Sequence, residues 1–381
     1  MSDDLVKARS VPQEQQARVM VVDDSSVVRG IITRALEATP GVKVVASVAN
    51  GALAIKMLPS IACDIIVLDI EMPQMDGMIA LPQLLAIDPG VRIIMVSGLT
   101  RRNAEVSLRA LALGAADYVP KPSTGLGTAD EFRAELVAKV LAHAARGQRG
   151  RNAQPQPAAP VTAPAAQAAR IAGVAPSGPI MLRKAPIERP AIIAIGSSTG
   201  GPQALSEVLK NLGSGVTQPI VITQHMPPTF TAILAEHMNR YAGRPAAEAQ
   251  DGEVVLGGRI YVAPGGLHML FEASGARTVI RLSDGPLENS CRPAVDPMLR
   301  SLSGIYQKKL LTVILTGMGY DGLKGSKVAV EAGGALIAQD QASSVVWGMP
   351  GAVAQAGICN AVLPLAEIGQ AIGRVARGEL L

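Results

Sequence analysis

The sequence predicts an α/β fold made of two doubly wound domains. Patterns typical of strands and helices alternate in two separate stretches of the 381 residues. Aromatic residues are scarce, at 2%, while small and branched apolar residues are plentiful, as in parallel strands buried beneath helices. Several strand-like segments also run directly into polar residues, which places those residues at the ligand-binding edge of a parallel sheet.

The first domain is expected over residues 17–147. Five apolar segments with strand character recur there, and segments with helical spacing separate them. This alternation predicts a doubly wound sheet. The predicted strands cover residues 18–22, 42–48, 64–68, 92–96 and 117–119.

Residues 148–186 are rich in Ala, Pro, Gln and Gly and show no period, which predicts a flexible linker. The second domain, over 187–381, is expected to be a mostly parallel α/β domain with one antiparallel hairpin. We place that hairpin over 262–270, with Pro264-Gly265-Gly266 as its turn. The predicted parallel strands cover residues 191–195, 219–223, 259–262, 310–315 and 335–338.

Charge, hydropathy and cysteine content argue against a nucleic-acid-binding protein, an integral membrane protein and a disulfide-rich secreted protein. The net charge is +4, but the excess of bases lies between Arg146 and Arg189, which indicates a solvated linker and not a nucleic-acid-binding face. No apolar run is long enough for a membrane span, so an integral membrane protein is not expected. The acidic start lacks the features of a signal peptide, and the three cysteines, odd in number and without a CxxC motif, favour a cytoplasmic protein with neither a disulfide scaffold nor a zinc site.

Polar residues follow the predicted strands of the first domain. Asp23 and Asp24 follow the first strand, Asp69 the third, Ser97 the fourth and Lys121 the fifth. Crowded carboxylates repel one another, and Mg²⁺ would relieve that repulsion. Asp69 is then the candidate nucleophile for an acyl phosphate, with a hydroxyl and a lysine to contact the phosphoryl oxygens. The alternative is that single members of the set are helix caps.

In this order, the set resembles the receiver domain of two-component response regulators, with a flavodoxin-like fold. Tyr118 and the Lys121-Pro122 pair complete the resemblance. It implies that Asp69 is phosphorylated and that Asp23 and Asp24, with Asp69, hold Mg²⁺. It also implies that Ser97 and Tyr118 form the switch pair and that Lys121 contacts the phosphoryl group.

The second domain contains a candidate nucleophile, Ser198, in the segment Gly196-Ser197-Ser198-Thr199-Gly200. This segment fits G-x-S-x-G between a strand and a helix, a context that exposes a serine hydroxyl. Pro202 fits the first turn of that helix. Glycine-rich turns also bind phosphates, but the lysine of a Walker motif is missing. Ser198 as a plain helix cap is a further alternative.

A serine nucleophile needs a base and an orienting carboxylate. His225 follows one predicted strand and Asp321 another, so these two are the expected partners of Ser198. His268 lies in the predicted hairpin, without a strand end to deliver it. Cys291 is a rival nucleophile, although the sequence places no base beside it.

Together, the motifs "AIGSSTGGP", "ITQHMPP", "YVAPGG", "CRPAVD" and "LTGMGYDG" behind a receiver closely resemble the chemotaxis response regulator protein-glutamate methylesterases. The resemblance implies a Ser198, His225 and Asp321 triad, with the N–H of Met318 in the oxyanion hole. It implies demethylation of glutamate γ-methyl esters on chemoreceptors and deamidation of receptor glutamines. Ester hydrolysis is expected to need no cofactor.

Regulation is expected from the same resemblance. The hypothesis is that the unphosphorylated receiver covers the catalytic edge, and that phosphorylation of Asp69 by the chemotaxis histidine kinase exposes Ser198. Two other functions stay open at this point. One is a non-enzymatic regulator whose second domain only binds a partner or DNA, and the other is a general serine hydrolase acting on small esters.

Overall fold

A computed structural model describes residues 16–121, 126–151, 180–184, 188–213 and 215–379, with no side chains described for 126–128 and 146–151. The chain forms two compact α/β units. Among the described residues, no helix combines the length and the apolar character that a bilayer crossing requires. Most of the expected linker lies outside the described residues. Its first four residues continue the preceding helix, which ends at Arg151.

The first unit is built on the predicted five-stranded, doubly wound parallel sheet, whose strand order is β2-β1-β3-β4-β5. The apolar strand β3 is buried along its whole length, because helices cover both faces of such a sheet. The elements are β1 (Ala17–Val22), α1 (Ser26–Glu37), β2 (Val42–Val48), α2 (Gly51–Met57), β3 (Ile65–Asp69), α3 (Gly77–Ile87), β4 (Arg92–Ser97), α4 (Arg101–Ala112), β5 (Asp117–Pro120) and α5 (Leu126–Arg151).

The second unit contains a seven-stranded parallel sheet with the order β14-β13-β12-β6-β7-β9-β8 and a separate antiparallel pair, β10-β11. Its elements are β6 (Ile192–Ser197), α6 (Gly201–Lys210), β7 (Ile220–Gln224), α7 (Phe230–Tyr241), β8 (Ala246–Glu248), β9 (Ile260–Val262), β10 (His268–Ser274), β11 (Arg277–Ser283), α8 (Val295–Tyr306), β12 (Leu310–Ile314), α9 (Leu323–Glu331), β13 (Ala335–Gln339), α10 (Met349–Gln355), β14 (Ala361–Leu363) and α11 (Leu365–Arg377).

The predicted hairpin exists, but its predicted position was wrong. The antiparallel strands are β10 and β11, which pair from His268 with Ser283 to Ser274 with Arg277, so the turn lies at 275–276. The preceding strand, β9, instead pairs in parallel with β7 and β8 in the large sheet. The Pro264-Gly265-Gly266 segment therefore connects two different sheets. A Pro-Gly-Gly sequence marks a change of direction, but it does not say which strands pair across it.

Candidate active site

The candidate site lies where the order of the large sheet reverses. From β6 the chain moves outward in one direction through β7 and β9, and it returns to the other side of β6 with β12. Ligands of open α/β sheets bind at such a switch point, beyond the carboxyl ends of the strands. Ser198 follows β6, His225 follows β7 and Asp321 lies in the loop after β12, so all three belong to this edge.

Ser198 is the serine of this loop that is available for chemistry. Its neighbour Ser197 is fully buried and donates a hydrogen bond of 2.7 Å to Oε1 of Gln224. The amide of Gln224 in turn donates to the carbonyl of Ser198 at 2.9 Å. These bonds tie the ends of β6 and β7 together and leave the partly exposed side chain of Ser198 as the candidate nucleophile.

His225 and Asp321 contact each other directly. Nε2 of His225 lies 2.7 Å from Oδ2 of Asp321, and the two side chains are 12% and 2% exposed. Burial lowers the pKa of His225, but the hydrogen bond to Asp321 and the contact with Cys291 outweigh it and raise the pKa. Burial raises the pKa of Asp321, but His225 outweighs it and holds the pKa of that carboxyl below its usual range. The pair therefore stabilises the imidazolium that forms when His225 accepts a proton.

The Asp321 carboxylate is held by several further donors. The backbone N–H of Val295 donates to Oδ2 at 2.6 Å. The backbone N–H groups of Asp296 and Gly322 donate to Oδ1 at 3.1 and 2.9 Å, and the side-chain amide of Asn289 donates to the same oxygen at 2.7 Å. A carboxylate that accepts this many hydrogen bonds stays ionised and fixed in orientation.

The second ring nitrogen of His225 faces a thiol. Nδ1 lies 3.4 Å from Sγ of Cys291, which is partly buried. Among the described residues, the Ser198 side chain makes no hydrogen bond to His225. Because Asp321 occupies Nε2, Nδ1 is the nitrogen left to accept a proton from Ser198.

Backbone N–H groups are available for an oxyanion. The N–H of Met318, predicted for this role, and the N–H of Thr199 make no hydrogen bond to another described residue. Gly317 brings the Met318 segment close to the nucleophile, since a Cβ on Gly317 would lie 2.9 Å from Cβ of Ser198. The left-handed φ of +74° at Gly200 completes the sharp turn after Ser198.

His268, whose part was open from the sequence, has both ring nitrogens occupied. Nε2 lies 2.9 Å from the carbonyl of Pro286, and Nδ1 accepts the N–H of Ala294 at 3.2 Å. The ring is only 4% exposed. It thus supports the segment before Val295.

The first unit brings its predicted carboxylates together. Oxygen atoms of Asp23, Asp24 and Asp69 lie within 4.8 Å of one another, an acidic triad typical of a Mg²⁺ site. Oδ2 of Asp23 and Oδ2 of Asp69 are buried and lie 3.0 and 2.8 Å from Nζ of Lys121. Apart from the ion pairs with Lys121, neither oxygen has a hydrogen-bond partner among the described residues, so both are available to ligate a cation. Burial raises the pKa of Asp69 to about 6, although Lys121 lowers it.

The predicted switch residues lie on neighbouring strands. Ser97 ends β4, is 1% exposed, and its carbonyl accepts the N–H of Lys121 at 2.6 Å. Tyr118 on β5 is 4% exposed, and burial raises its pKa well above the usual value. Lys139 of α5 holds this segment, since its Nζ donates to the Tyr118 carbonyl at 2.6 Å and lies 4.9 Å from the ring centre. Pro122 lies outside the described residues.

Three features of the site were not predicted. They are the hydrogen bond from the Asn289 amide to Asp321, the contact of the Cys291 thiol with His225, and the N–H of Thr199, which has no partner among the described residues. The position after the nucleophile in G-x-S-x-G is itself a signal for the Thr199 N–H. No sequence pattern signals the first two contacts, because each joins residues from distant parts of the chain.

Comparison with known proteins identifies two family regions in this chain. The receiver domain of response regulators matches residues 19–126, and the CheB methylesterase family matches residues 193–372.

Two similar relatives cover nearly the whole chain. A protein-glutamate methylesterase/protein-glutamine glutaminase of Paramagnetospirillum magneticum is 55% identical over 96% of this chain and 97% of its own length. Another from Azospirillum brasilense is 56% identical, over 94% of this chain and 92% of its own length.

A solved structure of the CheB methylesterase catalytic domain of Thermotoga maritima is 41% identical to the matching part. It covers 48% of this chain and 97% of that one, with a TM-score of 0.47. The response regulator domain of Thermotoga maritima CheB is 34% identical, over 34% of this chain and 97% of that one, with a TM-score of 0.32.

Proposed function

The chain belongs to the family of protein-glutamate methylesterases/protein-glutamine glutaminases that carry a receiver domain, and from that premise we propose how its own residues act. It hydrolyses glutamate γ-methyl esters on chemoreceptors, with release of methanol, and deamidates receptor glutamines to glutamate. Ser198 is the nucleophile, His225 the general base and Asp321 the orienting carboxylate. Phosphorylation of Asp69 raises the rate.

One observation carries the catalytic assignment. Nε2 of His225 lies 2.7 Å from Oδ2 of Asp321 at the switch point of the sheet. The backbone N–H of His225 donates to the carbonyl of Ser197, the residue before Ser198. A histidine whose one nitrogen is fixed by a carboxylate can accept a proton at the other. Nucleophile, base and carboxylate thus come from the segments that follow three strands of one sheet. The proposed ester step needs no cofactor.

The acylation step follows from these positions. Nδ1 of His225 takes the proton of Ser198 Oγ, which attacks the γ-carbonyl carbon of the receptor glutamyl ester. The negative charge that develops on the carbonyl oxygen is stabilised by the N–H groups of Met318 and Thr199. When the tetrahedral intermediate collapses, His225 returns the proton to the leaving oxygen, and methanol departs.

Deacylation repeats the same chemistry with water. His225 takes a proton from water, the hydroxide attacks the acyl carbon, and the proton passes to Ser198 Oγ as the glutamate is released. With a glutamine substrate the leaving group is ammonia instead of methanol. Asp321 stabilises the imidazolium in both half-reactions and does not itself become protonated.

The receiver supplies the regulation. Asp69 accepts a phosphoryl group from the chemotaxis histidine kinase, and Lys121 contacts its oxygens. Asp23, Asp24 and Asp69 would hold Mg²⁺, which supplies positive charge to the phosphoryl oxygens when bound. Ser97 and Tyr118 respond to the new charge as the switch pair. All three cysteines are free, which supports a cytoplasmic location.

The test is methanol release from methylated receptor by the full-length protein, with and without a small phosphodonor and Mg²⁺. We expect the phosphodonor to accelerate the wild type, and to leave the Asp69→Asn variant at the basal rate. Ser198→Ala should abolish release under both conditions, whereas Ser274→Ala, at an exposed position on the hairpin, should match the wild type. Undiminished release by Ser198→Ala would overturn the catalytic assignment.

The same assay separates the two competing functions. A partner-binding module would release no methanol, and Ser198→Ala would leave its signalling intact. A general hydrolase would cleave small soluble esters as fast as methylated receptor. We expect release from receptor and little from the small esters.

A further inference from the structure

The side chain of Asn289 joins two buried carboxylates, those of Asp321 and Asp296. We propose that Asn289 is a positioning residue for the esterase reaction, which holds the Asp321 carboxylate in the orientation that His225 requires. The proposal rests on the catalytic role of Ser198, His225 and Asp321 given above.

The geometry uses the whole donor capacity of the amide. Nδ2 of Asn289 donates to Oδ1 of Asp321 at 2.7 Å and to Oδ2 of Asp296 at 2.9 Å. A primary amide carries two N–H protons, so each carboxylate receives one. With Oδ1 of Asp321 fixed in this way, Oδ2 points to Nε2 of His225.

The charges explain why a neutral donor stands here. Asp296 is fully buried, and burial together with the nearby charge of Asp321 raises its pKa. Two carboxylates at close range in a buried site repel each other. The Asn289 amide satisfies both without adding charge, while a cation at the same place would compete with His225 for Asp321.

The backbone places Asn289 for this contact. Glu288 and Cys291 exchange two backbone hydrogen bonds, of 3.1 and 2.9 Å, and the central residues Asn289 and Ser290 have φ of 51° and 62°. Left-handed φ at both central residues is the signature of a type I′ turn, where Asn and Gly are favoured. Glycine would satisfy the backbone but would supply no amide, so the two roles of Asn289 can be separated by substitution.

The first test compares Asn289→Gly with Ser290→Gly in the full-length protein. Both relieve the same left-handed strain, but only the first removes the amide from Asp321 and Asp296. We expect Asn289→Gly to lower kcat for methanol release at least tenfold, about 1.4 kcal/mol of transition-state stabilisation. Its KM should stay within twofold of the wild type, because the side chain acts through Asp321 and not on the substrate. Ser290→Gly should retain the wild-type kcat.

The second test is Asn289→Asp, which keeps the shape of the side chain and suits a left-handed turn. A third carboxylate beside Asp321 should raise the pKa of His225, so the acid limb of the kcat/KM profile should move to higher pH. This shift reports the added charge beside Asp321, while the fall in kcat of Asn289→Gly reports the loss of the amide itself. Thermal unfolding of each variant shows whether the fold is kept.

The results separate this proposal from the catalytic assignment. If Ser198→Ala remains active, the proposed nucleophile is wrong. If Ser198→Ala is inactive but Asn289→Gly and Asn289→Asp both have the kcat and the pH profile of the wild type, the positioning role alone is overturned.

Discussion

Sγ of Cys291 lies 3.4 Å from Nδ1 of His225, at the ring nitrogen that does not contact Asp321. This thiol occupies the side of the imidazole on which Ser198 must give up its proton. The contact also helps to raise the pKa of His225. Cys291 is thus either a neighbour that tunes the base or a competing nucleophile, and substitution distinguishes the two.

We expect Cys291→Ala to retain methanol release within a few-fold of the wild type. Because the contact with Cys291 raises the pKa of His225, its removal should lower that pKa. The base then becomes neutral at a lower pH, so the acid limb of the kcat/KM profile should move to lower pH. A loss as deep as that of Ser198→Ala would instead identify Cys291 as the nucleophile. Cys291→Ser, which puts a hydroxyl in place of the thiol, controls for the change of volume.

Asp321→Asn tests the orientation of the base. The amide cannot stabilise an imidazolium, and it disturbs the donors that converge on the carboxylate. We expect kcat to fall about 10³-fold or more, with a small change in KM. Asp284→Asn, at an exposed position, is the matched control and should behave as the wild type. Equal activity of the two variants would show that His225 does not depend on Asp321.

Gly317→Ala tests the close packing behind the nucleophile. A Cβ there would lie 2.9 Å from Cβ of Ser198 and 2.3 Å from Sδ of Met349, so the loop that carries Met318 must shift. We expect kcat to fall about tenfold or more, because the N–H of Met318 moves away from the developing oxyanion. Gly304→Ala, in helix α8 with open space around the new methyl group, should leave kcat unchanged. A wild-type rate for Gly317→Ala would remove Met318 from the proposed oxyanion hole.

Lys121→Met tests the charge balance of the receiver site. Nζ of Lys121 lies within 3.0 Å of buried oxygens of Asp23 and Asp69, so its removal leaves two carboxylates without this cation. We expect the free energy of unfolding of the receiver to fall by about 1–3 kcal/mol at pH 7. Denaturant titration measures this change. Adding Asp69→Asn to Lys121→Met should restore part of the loss. If the double variant is no more stable than the single one, repulsion between the carboxylates is not the cause.

The residues at the carboxyl ends of the strands could be predicted from the sequence, because strand periodicity and the residue after each strand are local features. The positions of Asp69 at the end of β3 and of Ser198 after β6 follow from such patterns. The turn of the hairpin was wrong, because Pro264-Gly265-Gly266 looks the same whether it joins paired strands or two sheets.

Contacts between distant segments could not be predicted in the same way. Asn289 and Asp321 are 32 positions apart, and Cys291 and His225 are 66 apart, so only tertiary packing brings them together. The choice of Nε2 for Asp321 likewise depends on the rotation of one ring, which no residue pattern encodes. The catalytic roles of Ser198, His225 and Asp321 therefore stay predictions that the geometry supports.

The position of the covalent intermediate tests the central claim most directly. The full-length enzyme, with Mg²⁺ and a phosphodonor, is mixed with a methylated receptor peptide and quenched in acid, and the acylated residue is identified by mass spectrometry. We predict the peptide to be ester-linked to Ser198 and no adduct to form in Ser198→Ala. An adduct on Cys291, or full turnover by Ser198→Ala, would contradict the mechanism.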